Sequence, residues 1–164
     1  MNTVKIFDRI SRVRLHKPND GEGECMSTSD PFIDYMMHHI QNFQFGERDN
    51  ISLFPAYSHP DVPADENIIM EFIDPKGQSL FFTTNGFTVP GHGFIHYKDI
   101  GHHDWGSPVS AGRNYKEYVR LFLRNRPPIE FHVGKNYSVR LGFFIMELSK
   151  AKNRQAKSPT GTSG

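Results

Sequence analysis

The spacing of hydrophobic and polar positions changes along the chain, and each change predicts a new element. The clearest pattern comes late. Over Tyr118–Arg124, Val119, Leu121 and Leu123 fall on one face and Arg120, Phe122 and Arg124 on the other, the two-residue period of a strand. Asn125-Arg126-Pro127-Pro128 predicts a turn, and Ile129, Phe131 and Val133 then alternate with Glu130 and His132 in a partner strand that ends at Gly134. Ser138–Lys152 reads as a helix whose Val139, Leu141, Phe143, Phe144, Ile145, Met146 and Leu148 leave it apolar on most sides. That breadth belongs to a helix buried against a sheet.

Upstream, Asp30-Pro31 is a helix start, with a capping carboxylate followed by a proline whose missing N–H does no harm. Ile33, Met36, Met37, Ile40 and Phe43 recur at helical spacing, so 31–44 is predicted to be an amphipathic helix stopped near Gly46. Pro55, Pro60 and Pro63 make 50–66 a loop with a short strand at Ile51–Phe54. From Asn67 onward, β-branched and aromatic runs flank Pro75-Lys76-Gly77 and predict a β-hairpin, with a second turn at Asn85-Gly86 and a strand at Phe94–Lys98. Residues 101–114, rich in Gly, His and Pro, read as a loop. Before all of these, Arg12–His16 reads as a strand followed by a turn-rich linker, and 153–164 as a disordered tail. The expected architecture is a single α+β domain over 1–152. It consists of a small antiparallel sheet, partly closed or barrel-like, with one N-terminal and one C-terminal helix.

Composition narrows what such a domain could do. Mean hydropathy is low, at −0.55, but fourteen Phe and six Tyr supply a core. Nineteen Lys+Arg against eighteen Asp+Glu leave a net charge of +1, so no overall field draws the chain to nucleic acid or to an anionic membrane. The single Cys excludes an internal disulfide framework and fits a reducing compartment. The charged opening segment is no secretory signal, and the longest strongly apolar run, Leu141–Met146, is far short of the roughly 20 residues that span a bilayer. The expectation is a cytoplasmic protein with neither a nucleic-acid partner nor stable membrane insertion.

The stretch from Ile69 to Ile100, with FFTTNGFTV followed by GFIHYKDI, resembles small bacterial pleckstrin-homology-like (GRAM-type) barrels. The hairpin 116–133 followed by the helix 138–152 is similar to the end of that fold, where a C-terminal helix plugs the barrel. The resemblance covers roughly 67–152 and has no counterpart for the helix at 31–44, since such barrels begin directly with strands. It implies a binding module for proteins or lipid head groups rather than an enzyme.

Candidate chemistry is sparse. Five of the nine His fall late in the chain, and a metal site could be drawn from His96, His102 and Asp104. Their spacing matches no metal motif, so neither a metal nor another cofactor is expected. Cys25 lies among carboxylates that would raise its pKa, which speaks against a nucleophile. No catalytic motif is present. What remains suits contact surfaces. Arg120, Phe122 and Arg124 share one strand face, and an aromatic flanked by arginines is the composition of an interface anchor. Asp61, Asp65 and Glu66, continuing to Glu71 and Asp74, form an acidic segment able to face a basic partner. The expected function is non-catalytic binding of another protein, most concretely as an immunity or inhibitor protein that neutralises a bacterial toxin. The alternatives are a lipid head-group or phosphate-binding module, and a metal-dependent hydrolase using the His-rich loop.

Overall fold

The computed structural model describes residues 30–43, 50–105, 117–134 and 137–157. Helix α1 spans Pro31–Phe43, and its start follows from the sequence. Asp30 Oδ1 accepts the Phe32 N–H at 2.8 Å, satisfying one of the donors that a helix start leaves open. Phe32, Met36 and Met37 are buried, and Ile33 and Ile40 pack partly against the core. The strand expected at Arg12–His16, the linker after it, Cys25 and the stop at Gly46 lie outside the described residues.

Five strands then form one antiparallel meander: β1 (Ile51–Leu53), β2 (Met70–Ile73), β3 (Ser79–Phe82), β4 (Gly86–Val89) and β5 (Gly93–His96). At the β2–β3 turn, Asp74 Oδ1 accepts the N–H groups of Lys76 and Gln78, each at 2.8 Å, and Gly77 takes a φ of 81°, which side-chain-bearing residues rarely adopt. At the β3–β4 turn, Thr83 Oγ1 accepts from Asn85 and Gly86, each at 3.2 Å. Gly86 is required for room, because a Cβ there would lie 2.2 Å from the Ile95 carbonyl oxygen. Met70, Phe72, Leu80, Phe82, Phe87 and Val89 face the main core. On the opposite side Phe81 packs with Val62 and Ile68 of the proline-rich loop in a second cluster. Burial on both faces explains why this hairpin reads as continuous apolar runs rather than as alternation.

A second antiparallel sheet contains β6 (Ile100–Trp105), β7 (Tyr118–Leu123) and β8 (Ile129–His132). Strand β7 alternates as read, with Val119, Leu121 and Leu123 buried. Strand β6 corrects an expectation, since 101–114 read as a loop. Ile100–Trp105 instead pairs along β7, with a register irregularity between Ile100 and His102 that takes up Gly101. Pairing with a strongly patterned strand outweighs poor local propensity. The strand expected at Phe94–Lys98 also divides, because β5 ends at His96 and Tyr97–Asp99 forms a 3₁₀ turn.

Helix α2 runs Ser138–Lys157, past the expected end at Lys152 and into the segment read as a disordered tail. Its buried residues include Leu141, Phe144, Ile145, Leu148 and Ser149, whereas Val139 is 44 % exposed. The helix is therefore buried along one stripe and not on most sides. The architecture is α+β as expected, but the barrel-like closure is not found. Among the described residues there are two open sheets and no closed barrel. Their inner faces share one core. Phe82 and Phe87 stack at 5.1 Å, Phe144 of α2 meets Phe82 edge-on at 5.4 Å, and Phe131 of β8 meets Phe87 at 6.3 Å.

The 3₁₀ turn joins these parts. The Tyr97 N–H donates to the Asn85 carbonyl at 3.0 Å, and the Asp99 carbonyl accepts from the Arg124 N–H at 2.9 Å. Ser149 Oγ of α2 donates to the Tyr97 carbonyl at 2.9 Å. The fully buried Tyr97 hydroxyl donates to the Thr83 carbonyl at 3.0 Å.

Tyr97→Phe removes that hydroxyl and leaves a buried carbonyl short of a donor, so a loss of about 1–3 kcal/mol in urea unfolding is expected. Burial, helped by the nearby Glu66 carboxylate, holds the Tyr97 phenol well above its ordinary 10. The unfolded chain releases that proton near pH 10 while the folded chain retains it. Stability from this group is therefore fully present below about pH 10 and declines above it, by up to about 1.4 kcal/mol per pH unit. Unfolding midpoints measured through the alkaline range are expected to fall less steeply in Tyr97→Phe than in the parent chain. Gly86→Ala is expected to destabilise by about 1–3 kcal/mol in the same assay through overpacking against Ile95.

Candidate functional site

The residues singled out from the sequence divide among three places. The first is the outer face of the three-stranded sheet. Alternation along β7 puts Tyr118, Arg120 and Phe122 on this face, and pairing sets Arg120 opposite Glu130 on β8 and opposite Asp104 on β6. Arg120 lies over the Phe122 ring at 4.9 Å, and His102 approaches the same ring at 5.4 Å. One strand position along, Tyr118 meets His132 edge-on at 5.3 Å. His132 Nε2 is 3.3 Å from Glu117 Oε2, and its Nδ1 is 3.7 Å from Asp74 Oδ2. Arg120 Nε, Glu130 Oε2, His132 Nδ1 and Asp74 Oδ2 are all buried without a hydrogen-bond partner. Arg120 is half-buried on this face, with its Nε enclosed. Phe122 lies beneath it, also half-buried.

The second place holds Arg124, which follows Arg120 and Phe122 in the alternation but leaves their face. It is exposed past the end of β7, and its Nη2 donates to Asn153 Oδ1 of α2 at 3.5 Å. Asn153 is itself fixed, with Nδ2 donating to the Ser149 carbonyl at 2.9 Å. Between these elements lies an open groove of about 440 Å³. Half-buried Met146 contributes apolar surface to it, Ile100 borders it at only 4 % exposure, and His102, Arg124, Lys150, Arg154 and Lys157 contribute basic side chains. Among the described residues none of its lining side chains is acidic. Sequence reasoning missed this groove because it ended α2 at Lys152. The signal was available: Met146, Lys150, Asn153, Arg154 and Lys157 recur at three- and four-residue intervals, so one helix face carries them all.

The third place is the proline-rich loop over the outer side of the five-stranded sheet. Asp61 and Asp65 are exposed there, whereas Glu66 is half-buried and accepts from Asn85 Nδ2 at 2.7 Å. The acidic segment does not continue as expected. Glu71 is buried at 9 % exposure, accepting from Ser79 Oγ at 2.6 Å and from the Tyr57 hydroxyl. Asp74 is buried in the β2–β3 turn. These two carboxylates serve the fold, so the acidic surface reduces to Asp61 and Asp65. The hydrogen bond to Glu71 pushes the Tyr57 phenol up to about 12.

The two histidines drawn together as metal ligands lie in different sheets. His96 belongs to β5 of the five-stranded sheet and meets Phe94 edge-on at 5.0 Å, whereas His102 lies in the other sheet. His92 Nε2 is 3.2 Å from the Glu130 carbonyl oxygen. Among the described residues no group of three His, Cys, Asp or Glu side chains is gathered as a metal site. Among them, too, no helix is long and apolar enough to cross a membrane.

No family model, no curated protein and no solved structure matches the chain.

Two measurements check this sheet face and the loop. Arg120→Ala removes the guanidinium lying over the Phe122 ring and is expected to destabilise by about 0.5–2 kcal/mol in urea unfolding. Arg120→Met keeps a long aliphatic stem over the ring and is expected to lose less than half of that. A spectrophotometric titration is expected to show Tyr57 ionising at about 12, and Glu71→Gln is expected to return it towards its ordinary value.

Proposed function

We propose that this protein acts by binding another protein and not by catalysis, in the form of an immunity or inhibitor protein that neutralises a toxin by covering it. One observation carries the reading. In a chain of net charge +1, four permanent cations, Arg124, Lys150, Arg154 and Lys157, line one groove, while Asp61 and Asp65 stand exposed on a separate loop. Such segregation gives a small domain two surfaces of opposite sign with which to select and orient a partner. The scaffold also suits the task, because the aromatic core and the bonded joint hold the groove in place before contact, which lowers the entropy lost on binding there. The proposed setting is the bacterial cytoplasm, which the single cysteine supports.

The groove also favours a second reading, a module for phosphate or a lipid head group, since arginine forks match phosphoryl oxygens.

The adjacent reading frame is expected to encode a large secreted toxin. Calorimetric titration of that toxin with this protein is expected to give a stoichiometric complex and a loss of toxin activity. Asp61→Lys with Asp65→Lys is expected to weaken the complex about tenfold or more, given the usual effect of reversing interface charges. A toxin that stays fully active with no heat of binding sinks the reading, and sedimentation of the protein with anionic vesicles supports the second one instead.

A further inference from the structure

We infer that His132 is a proton-controlled clasp between the two sheets. Its charged ring ties Asp74 of the β2–β3 turn to Glu117 at the start of β7, and loss of the proton releases Asp74. The inference stands independently of the partner reading above.

The geometry leaves one way to satisfy every group. The His132 side chain is 13 % exposed, and that of Asp74 beside it is fully buried. His132 Nε2 lies 3.3 Å from Glu117 Oε2, and its Nδ1 lies 3.7 Å from Asp74 Oδ2. Each ring nitrogen thus has a carboxylate oxygen as its neighbour. A neutral imidazole has one N–H and one lone pair and donates to only one of them, whereas the imidazolium donates to both. Among the described residues, Asp74 Oδ2 and His132 Nδ1 are buried without a hydrogen-bond partner. A neutral pair makes no hydrogen bond at 3.7 Å, but opposite charges still attract there. With a single proton on Nε2, towards the nearer Glu117, the Nδ1 lone pair meets the Asp74 carboxylate. That leaves a buried oxygen without a donor, which is costly.

The other titratable and charged groups around the ring supply no substitute. Tyr118 of β7 meets it edge-on at 5.3 Å. Glu130 lies two residues back along β8, in register with Arg120. His92 Nε2 is 3.2 Å from the Glu130 carbonyl oxygen. Lys76 gives Asp74 Oδ1 its backbone N–H, while its side chain is exposed. A single metal ion cannot gather the set, because Asp74 and Glu117 lie off different nitrogens of one ring.

The position gives the proton structural leverage. Asp74 precedes β3 and Thr83 follows it, so this contact and the Tyr97 joint lie at opposite ends of that strand. Asp74 Oδ1 holds the Lys76 and Gln78 N–H groups, so movement of Asp74 disturbs the whole turn. Pro75 lies against the end of β8, since a Cβ on Gly134 would come 2.7 Å from Pro75 Cγ. Glu117 stays with β8 in either state, its carbonyl accepting the Val133 and Gly134 N–H groups at 2.8 and 3.2 Å. Deprotonation therefore loosens the β2–β3 turn and leaves the β7–β8 ladder in place. The clasp is closed on the acid side of the range in which imidazole changes charge, about pH 5 to 8, and opens as pH rises through it.

The test is an NMR titration of the isotopically labelled full chain over that range, reading the His132 ring nitrogens, the amides of 74–78 and hydrogen exchange at Lys76 and Gln78. Both ring nitrogens are expected to carry protons at the acid end and one at the alkaline end, with the 74–78 shifts following the same curve. Exchange at Lys76 and Gln78, corrected for base catalysis, is expected to quicken roughly tenfold across the range. Asp74→Asn keeps an oxygen acceptor for the turn and removes the charge, so the turn is expected to survive while its pH response is lost. His132→Gln is expected to give the faster exchange at every pH. If that variant fails to fold, the parent and Asp74→Asn titrations decide the matter. A ring that holds one proton throughout, or two throughout, overturns the inference. So does a ring that titrates with no response at 74–78, or a pH response unchanged in Asp74→Asn.

Discussion

The structure turns on three residues, Tyr97–Asp99, through which the chain leaves one sheet and enters the other. Two open sheets with apolar inner faces can share a core only if something fixes their relative position. This short turn is bonded to the β3–β4 turn through Tyr97, to the end of β7 through Asp99, and to α2 through Ser149. The buried Tyr97 ring adds apolar contact with Phe32 at 5.8 Å and with Phe87 at 6.0 Å. Its hydroxyl finds the Thr83 carbonyl, so the large ring enters the interior without leaving a polar group unpaired. Helix, sheet and sheet therefore meet at one satisfied joint.

That joint also explains how the basic groove is made. Ser149 bonds the turn, Asn153 lies one helical turn further along, and Arg124 follows β7 by one residue. The same chain of contacts that locks α2 onto the sheets brings Arg124 against the helix face carrying Lys150, Arg154 and Lys157. Function, in the reading proposed, uses a surface that the packing had to create.

Much of this was legible in the residues. Strict alternation in β7 and β8, the Asp30-Pro31 helix start and the Pro75-Lys76-Gly77 turn are local signals, and each produced the element it predicts. Strand β6 was hidden because Gly101, His102 and His103 have no strong strand preference, and only pairing with β7 makes them extended. The end of α2 was misplaced because a basic, hydrophilic run resembles a tail when its neighbours are unknown, although it contains neither Gly nor Pro before Ser158. The contact residues were partly legible for a similar reason. Parity along a strand put Arg120, Phe122 and Arg124 together, but a strand's end releases its last residue from that parity. Likewise Glu71 and Asp74 look like surface charge in one dimension. Only the fold supplies the hydroxyl and amide donors that draw them inside.

The loop over the outer sheet face has a different standing from everything else described. Val62, Ile68 and Phe81 form a cluster separate from the main core, so little apolar burial is shared between them. Regions with their own small set of contacts open at lower free energy than the global transition. The loop can therefore lift and resettle as a small cooperative unit while the two sheets and α2 stay assembled. Asp61 and Asp65 ride on this breathing segment, whereas Arg124 is clamped to the frame, so the molecule presents one compliant hand and one stiff one.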